Sequence, residues 1–305
     1  MALFSVIIPV FNRDPTKTLE SVKAQTLTDW ECLVVDDGSA CGGDVASAVE
    51  TMRDNRFRYI RQENKGANAA RNNGIDRAAG KFVAFLDSDD EWLPEKLEIQ
   101  AEQLKSGGVA YSQFYFERGT GIEWVRPRKA MESPQDVAKY LFVQNQFIQT
   151  STIALPTNIA RKVRWDETLR KGQDLDFALR LKAAGCRFDF MPRPLVIFLD
   201  NTETGRVSRV RGIDNHLDFL SRNADRLSWR GRHAYRATYM TYDLGEDRPL
   251  LAIWYLLVGL AVGVSPVVVA RKAVRAFVPP QRHRKVVDFV VCLVKRRSKL
   301  PGTFH

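Results

Sequence analysis

The chain has 305 residues, 45% of them hydrophobic and 27% charged, which excludes a disordered polymer and leaves room for one large α/β domain with an appendage, or for two domains. Its 46 Lys+Arg against 36 Asp+Glu give a formal net charge of +10, but unevenly: acidic residues crowd between Asp29 and Glu102, and basic residues dominate from Arg187 to the tail Arg282, His283, Arg284, Lys285, Lys295, Arg296, Arg297, Lys299. That asymmetry calls for a cation at the first region and an anionic partner at the end, such as phospholipid headgroups, a phosphorylated acceptor or nucleic acid.

In chain order, Phe4–Val10 is a β-branched run with Pro9 near its end and reads as a buried strand. No basic stretch and no cleavage site precede it, so secretion is not expected. Thr16–Gln25 reads as a helix, Trp30–Val35 as a second strand ending on the turn Asp36-Asp37-Gly38-Ser39, and Val45–Arg53 as a helix. Phe57–Ile60 is a short third strand, Ala67–Ala79 a helix stopped by Gly80, and Phe82–Leu86 a fourth strand ending on Asp87-Ser88-Asp89-Asp90. Strand and helix alternating at this spacing make parallel β-α-β units, whose ligands bind beyond the carboxyl ends of the strands. Both acidic clusters fall at that edge.

From Val109 the pattern loosens into short strands, Val109–Ser112 and Thr152–Leu155, between polar loops. A helix over Asp174–Ala184 capped by Gly185 and a strand over Phe188–Leu199 follow. Leu250–Ala270 holds no charged residue and is long enough to span a bilayer. Gly259, Gly263 and Pro266 interrupt it, however, and the following Arg271-Lys272 would place the preceding domain outside the cell. A helical hairpin packed on the domain or resting on the membrane fits better. Cys32, Cys41, Cys186 and Cys292 form no CxxC pair and read as free thiols in a reducing compartment. His216, His233, His283 and His305 have no metal-ligand spacing and read as structural or surface residues.

Four motifs carry a resemblance. They are Ser5–Asn12, Val34–Ser39, Phe85–Pro94, and Trp165-Asp166-Glu167 through Gly172-Gln173-Asp174. In this order and spacing the chain resembles the family 2 glycosyltransferases, inverting enzymes of the GT-A fold. The resemblance runs from Ser5 to about Leu181. It implies a mostly parallel twisted sheet flanked by helices, with a nucleotide-binding half (1–108) and an acceptor-binding half (109–215), followed by a helical, basic C-terminal extension (216–305).

It also implies a sugar moved from a nucleotide-diphosphate sugar, expected to be a UDP-sugar, to an acceptor hydroxyl. Asp87-Ser88-Asp89 matches the family's DxD motif: Asp89 and Asp87 on a divalent Mn²⁺ or Mg²⁺, with Asp87 also on the ribose or metal-bound water. Hard carboxylate oxygens suit such ions, and the ion offsets charge gathering on the departing diphosphate. Asp90 offers an N-cap for a helix starting near Pro94. Pro9, Phe11 and Asn12 line the base pocket, Asp37 accepts from the base edge, and Arg71 contacts the nucleotide. Asp174 takes the proton of the attacking hydroxyl. Asp176, two residues along the helix, points elsewhere. Gln173 stands where the family usually has Glu, which removes a charge beside the base and would lower its pKa. Arg206 and Arg209 are candidates for a loop closing over the diphosphate.

The implied setting is cell-surface polysaccharide or glycoconjugate synthesis on a glycan or lipid-linked acceptor. The implied location is the cytoplasm, peripheral on the inner face of the cell membrane, with the basic end on its surface. Two other readings are a degenerate module that only holds a nucleotide sugar, which Gln173 favours, and a nucleotidyltransferase, against which the first loop lacks glycine. The basic tail has no aromatic interleaving, so nucleic acid is not expected.

Overall fold

The computed structural model describes residues 2–40, 42–117, 124–132, 136–199 and 212–278. The expected diphosphate loop with Arg206 and Arg209, and the basic tail from Arg282, lie outside the described residues.

Seven elements build the first half in strict alternation: β1 (Phe4–Val10), α1 (Thr16–Lys23), β2 (Trp30–Asp36), α2 (Gly42–Thr51), β3 (Phe57–Arg61), α3 (Ala67–Arg77) and β4 (Phe82–Phe85). The four strands pair in parallel in the order β3-β2-β1-β4. Every residue of β1 is buried, as a parallel strand covered on both faces requires. The two-residue period sorts the side chains: Phe4, Val6, Ile8 and Val10 join one core cluster and Ile7 the other.

The sheet then turns mixed. β5 (Asp90–Trp92) and α4 (Lys96–Leu104) precede β6 (Val109–Glu117) and β7 (Trp124–Arg126). β8 (Ala154–Pro156), α5 (Thr157–Val163), α6 (Gln173–Ala183) and β9 (Phe188–Leu199) complete the sheet. β8 runs antiparallel to β4 and β6, β9 runs parallel to β6, and β5 runs antiparallel to β9. This α/β architecture, a curled and largely parallel sheet with helices on both faces, is the one the sequence implied.

Two local readings are corrected. Asp90 is no helix cap. It lies fully buried in β5, and α4 begins six residues later with Glu95 at its N-cap. Thr150–Thr152 forms a single 3₁₀ turn ahead of β8, so the strand expected over Thr152–Leu155 starts only at Ala154.

Beyond β9, α7 (Ile213–Arg222) leads to α8 (Trp229–Tyr235), which passes through a π-helical turn (Arg236–Met240) into α9 (Thr241–Leu244). α10 (Pro249–Ala261) and α11 (Pro266–Phe277) follow. Gly263 at φ +97° and Pro266 at the first turn of α11 break the uncharged run into this hairpin. No helix among the described residues is long and apolar enough to cross a membrane. The helices share a core with the sheet: Phe219, Tyr235, Leu244, Ala252, Leu256 and Val269 belong to one cluster with Phe85, Trp165 and Phe177.

Candidate active site

The site grows from the carboxyl ends of β1, β2 and β4. After β1, Asn12 adopts φ +48°. Its amide donates to the Ser39 hydroxyl (2.9 Å), and its side-chain oxygen accepts from the Ala40 amide (2.8 Å). The loop holding Pro9, Phe11 and Asn12 is thereby fastened to the Asp36–Ser39 turn, with the Phe11 ring half exposed. Asp36 is buried and accepts from the Ser39 amide, the Tyr59 hydroxyl and Arg61. Burial alone would raise its carboxyl, but these donors together hold it below the usual range.

Asp37 is buried as well. One carboxylate oxygen accepts from the Gln62 amide group (2.7 Å) and the Lys65 N–H (2.9 Å), the other from the Gly66 N–H (2.8 Å). Three of roughly four acceptor positions are thus filled by the 62–66 loop. Gly38 permits that approach: at φ +76°, any Cβ there would lie 2.8 Å from the Asn64 nitrogen.

After β4, the Asp87 amide donates to the Ser151 hydroxyl (3.0 Å) and its carboxylate forms a 2.6 Å ion pair with Arg71. Arg71 is no surface residue. It is 4% exposed, lies over the Trp165 ring, and donates to Asn68 (2.8 Å) and to the Gln173 side-chain oxygen (3.3 Å). Trp165 in turn stacks on Phe177, so the segment Trp165–Glu167 supplies the platform for Arg71. Ser88 and Asp89 are partly buried beside it, with Arg13 3.9 Å from Asp89. Asp90 points inward to Gln149 and Ser151. Burial first, then the charges of Asp89 and Asp87, push its carboxyl well above the usual range.

Among the described residues no cluster of three or more His, Cys, Asp and Glu could hold a metal ion by itself. The two carboxylates Asp87 and Asp89 do fit Mg²⁺ or Mn²⁺, which keep open positions for diphosphate oxygens and water.

Asp174 sits in the first turn of α6, after Gly172 at φ +77°, and lines a cavity of about 470 Å³ together with Arg71, Asp87, Asp89 and Gln173. Burial pushes its carboxyl up to about 6. The Leu175 amide opposes that shift, Asp87 adds to it and Arg71 offsets it. The neutral Gln173 adds no charge to this balance, which burial dominates. Gln173 is instead tied down between Arg71 and the Leu169 carbonyl. Asp176 faces away, bonded to Asn223 (2.9 Å). Pro9, Phe11, Asn12, Asp37 and Ser88 are not among the residues lining this cavity.

The opposite wall comes from residues the motifs did not indicate. Tyr235, Tyr239 and Tyr242, spaced i, i+4, i+7, line the cavity along one helical face, with Tyr235 stacked on Phe219 and Tyr239. His216 bonds the Tyr235 hydroxyl (2.8 Å) and Asp243 (2.8 Å), and Asp243 also pairs with Lys171 (3.0 Å). Lys272 and Arg275 complete this wall from α11.

Comparison with known proteins finds relatives in sequence and in fold. A family model described as Glycosyl transferase family 2 matches residues 5–169. The amylovoran biosynthesis glycosyltransferase AmsB of Erwinia amylovora is 32% identical over 246 residues, 77% of this chain and 82% of that one. The Escherichia coli UDP-Glc:alpha-D-GlcNAc-diphosphoundecaprenol beta-1,3-glucosyltransferase WfgD is 36% identical over 118 residues, 38% of this chain and 46% of its own. Other relatives are much longer: the match spans 28% of an uncharacterized glycosyltransferase of Rickettsia felis. Among solved structures, S. aureus TarS 1-349 in complex with UDP-GlcNAc superposes with a TM-score of 0.60 at 19% identity, over 99% of this chain and 93% of that one. The mannosyltransferase PcManGT of Pyrobaculum calidifontis, in complex with GDP-Man and Mn²⁺, does so at 0.59 and 18%, over 96% and 86%.

Proposed function

Because this chain belongs to glycosyl transferase family 2, we propose that it moves a sugar with inversion from a UDP-sugar to a hydroxyl of a lipid-linked acceptor, in the synthesis of a cell-surface polysaccharide. The observation that carries the reading is one cavity holding Asp174, with a carboxyl raised to about 6, beside the Asp87–Asp89 pair. A base of that pKa is deprotonated at neutral pH yet basic enough to take a proton from an attacking hydroxyl.

In this reading Asp89 and Asp87 hold Mn²⁺ or Mg²⁺. When bound, that ion offsets the charge on the leaving diphosphate. Arg71 orients Asp87 and, through Gln173, the start of α6. Asp37 keeps the 62–66 loop in place and turns its remaining lone pair to the base edge. Pro9, Phe11 and Asn12 flank that base, and Ser88 sits between the two metal-binding carboxylates. The donor bound by TarS and the diphosphoundecaprenol acceptor of WfgD support the donor and acceptor classes by analogy. A cytoplasmic seat on the inner membrane face draws support from α10, where Leu250, Ile253, Trp254, Leu257 and Leu260 form an exposed apolar row, and from the basic sequence after residue 281.

A hydrolysis screen of UDP-, GDP- and TDP-sugars with and without Mn²⁺ tests the reading. Metal-stimulated turnover of a UDP-sugar is the expected result. Binding without turnover of every donor would instead make the chain a nucleotide-sugar-holding module.

A further inference from the structure

The cavity has a basic wall that neither the donor nor the base accounts for. Lys272 and Arg275, one turn apart on α11, both line it. Lys272 lies 5.2 Å over the Tyr239 ring and Arg275 4.8 Å over the Tyr242 ring. Neither has a carboxylate partner among the described residues. The nearby carboxylate in the same wall, Asp243, pairs through one oxygen with Lys171 and His216.

We propose that Lys272 and Arg275 form an anion subsite that grips the phosphate groups of the acceptor, a sugar joined to a lipid through diphosphate. This rests on the transferase reading above and names the residues that select its acceptor.

Two cations over aromatic rings, neither paired with a carboxylate among the described residues, raise the energy of the empty site. Burial and the flanking Arg275 and Arg271 push the Lys272 ammonium down to about 7, the direction that an incoming dianion would reverse. The elements separate this subsite from the donor's: Asp87 and Asp89 follow β4, Asp174 opens α6, and Lys272 and Arg275 come from α11. With the donor diphosphate at Asp87 and Asp89 and the acceptor hydroxyl at Asp174, these two cations are left for the acceptor's own phosphates. Helix α10, which packs against α11, carries the exposed apolar row, a surface of the right chemistry for the lipid attached to those phosphates.

Geranyl diphosphate and geraniol are suitable probes, titrated calorimetrically into the full chain saturated with UDP and Mn²⁺. Geranyl diphosphate should bind and geraniol should not. Lys272→Met with Arg275→Met should weaken the diphosphate at least tenfold while UDP affinity stays as in the parent and the melting temperature does not fall. The charge-keeping pair Lys272→Arg with Arg275→Lys should retain most of the binding. Undiminished geranyl diphosphate binding in the Met variant overturns the proposal. So does competition between geranyl diphosphate and UDP, or an equal loss of UDP affinity, either of which assigns these cations to the donor. Donor hydrolysis by the unmodified chain is read separately: its absence sinks the transferase reading, whatever the probes do.

Discussion

Asp174 is held in a way that costs stability and suits a base. Its carboxyl, near 3.8 in water, rises to about 6 in the fold. The folded state thus binds more protons than the unfolded chain between those values, and stability falls as pH climbs through that window. Asp174→Asn should therefore abolish transfer by a factor of 10³ or more, yet melt no lower than the parent at pH 7. About two pKa units at 1.36 kcal/mol each put the gain on the order of 1–3 kcal/mol, and it should vanish below pH 4. A variant that keeps full transfer would remove Asp174 from the mechanism. For the parent, kcat/KM should drop as pH falls through about 6 and level off above it, since only the deprotonated carboxylate accepts a proton. Arg71 makes a second case. Arg71→Met leaves the Asp87 charge uncompensated and frees Gln173. Denaturant unfolding should report a loss of about 1–3 kcal/mol, and kcat should fall by roughly ten- to a hundred-fold. Unchanged values of both would mean that the Arg71 network does not position the site.

At the scale of elements, the first four strands and their helices could be placed from sequence because each is a short, mostly apolar run or a helix closed by a turn. Asp37, Asp87 and Asp89 stood out because they follow directly on such strands, and Asp174 because it opens a helix. What stayed hidden depends on partners far along the chain. β5 is three residues long and exists as a strand only because β9 returns beside it more than a hundred residues later. The tyrosine wall shares a helical spacing, but nothing local says which way that face turns. The hairpin of α10 and α11 offers the sharpest test of such packing. Gly259 of α10 lies against the π-helical turn, where an added Cβ would come within 2.6 Å of the Ala237 Cβ. Gly259→Leu must push the hairpin outward and carry Lys272 and Arg275 with it. We expect a loss of about 1–3 kcal/mol, as for other overpacked contacts, together with weaker acceptor use and intact UDP affinity. Calorimetric titration with UDP and a thermal melt on the same sample check this. A melting temperature equal to the parent's would show that the close contact can relax without cost.

Over the whole molecule, the C-terminal helices are at once part of the core, a wall of the cavity and an outward-facing surface, so shortening the chain at different points should separate these roles. Leu256, Val262, Val264 and Val269 are buried in the cluster that includes Phe85 and Trp165. At about 1.5–3 kcal/mol for each such side chain, their removal forfeits roughly 6–12 kcal/mol, as much as a domain's entire stability. A chain ending at Arg248 should consequently aggregate or lack a cooperative unfolding transition, and a soluble, UDP-binding product would show that the hairpin is an appendage after all. A chain ending at Val278 keeps the hairpin and every cavity residue among those described but lacks Arg282, Arg284, Lys285, Lys295, Arg296, Arg297 and Lys299. It should fold and bind UDP like the parent. On vesicles containing anionic lipid the two should part: binding by the full chain falls steeply as salt rises, since screening weakens the basic tail's attraction. The shortened chain should bind more weakly and with little salt dependence, through the apolar row of α10 alone. Adding Trp254→Ser to it should abolish the remainder, because that residue presents the largest exposed ring on the row. Equal, salt-sensitive binding by both chains would instead place the membrane contact elsewhere on the catalytic domain.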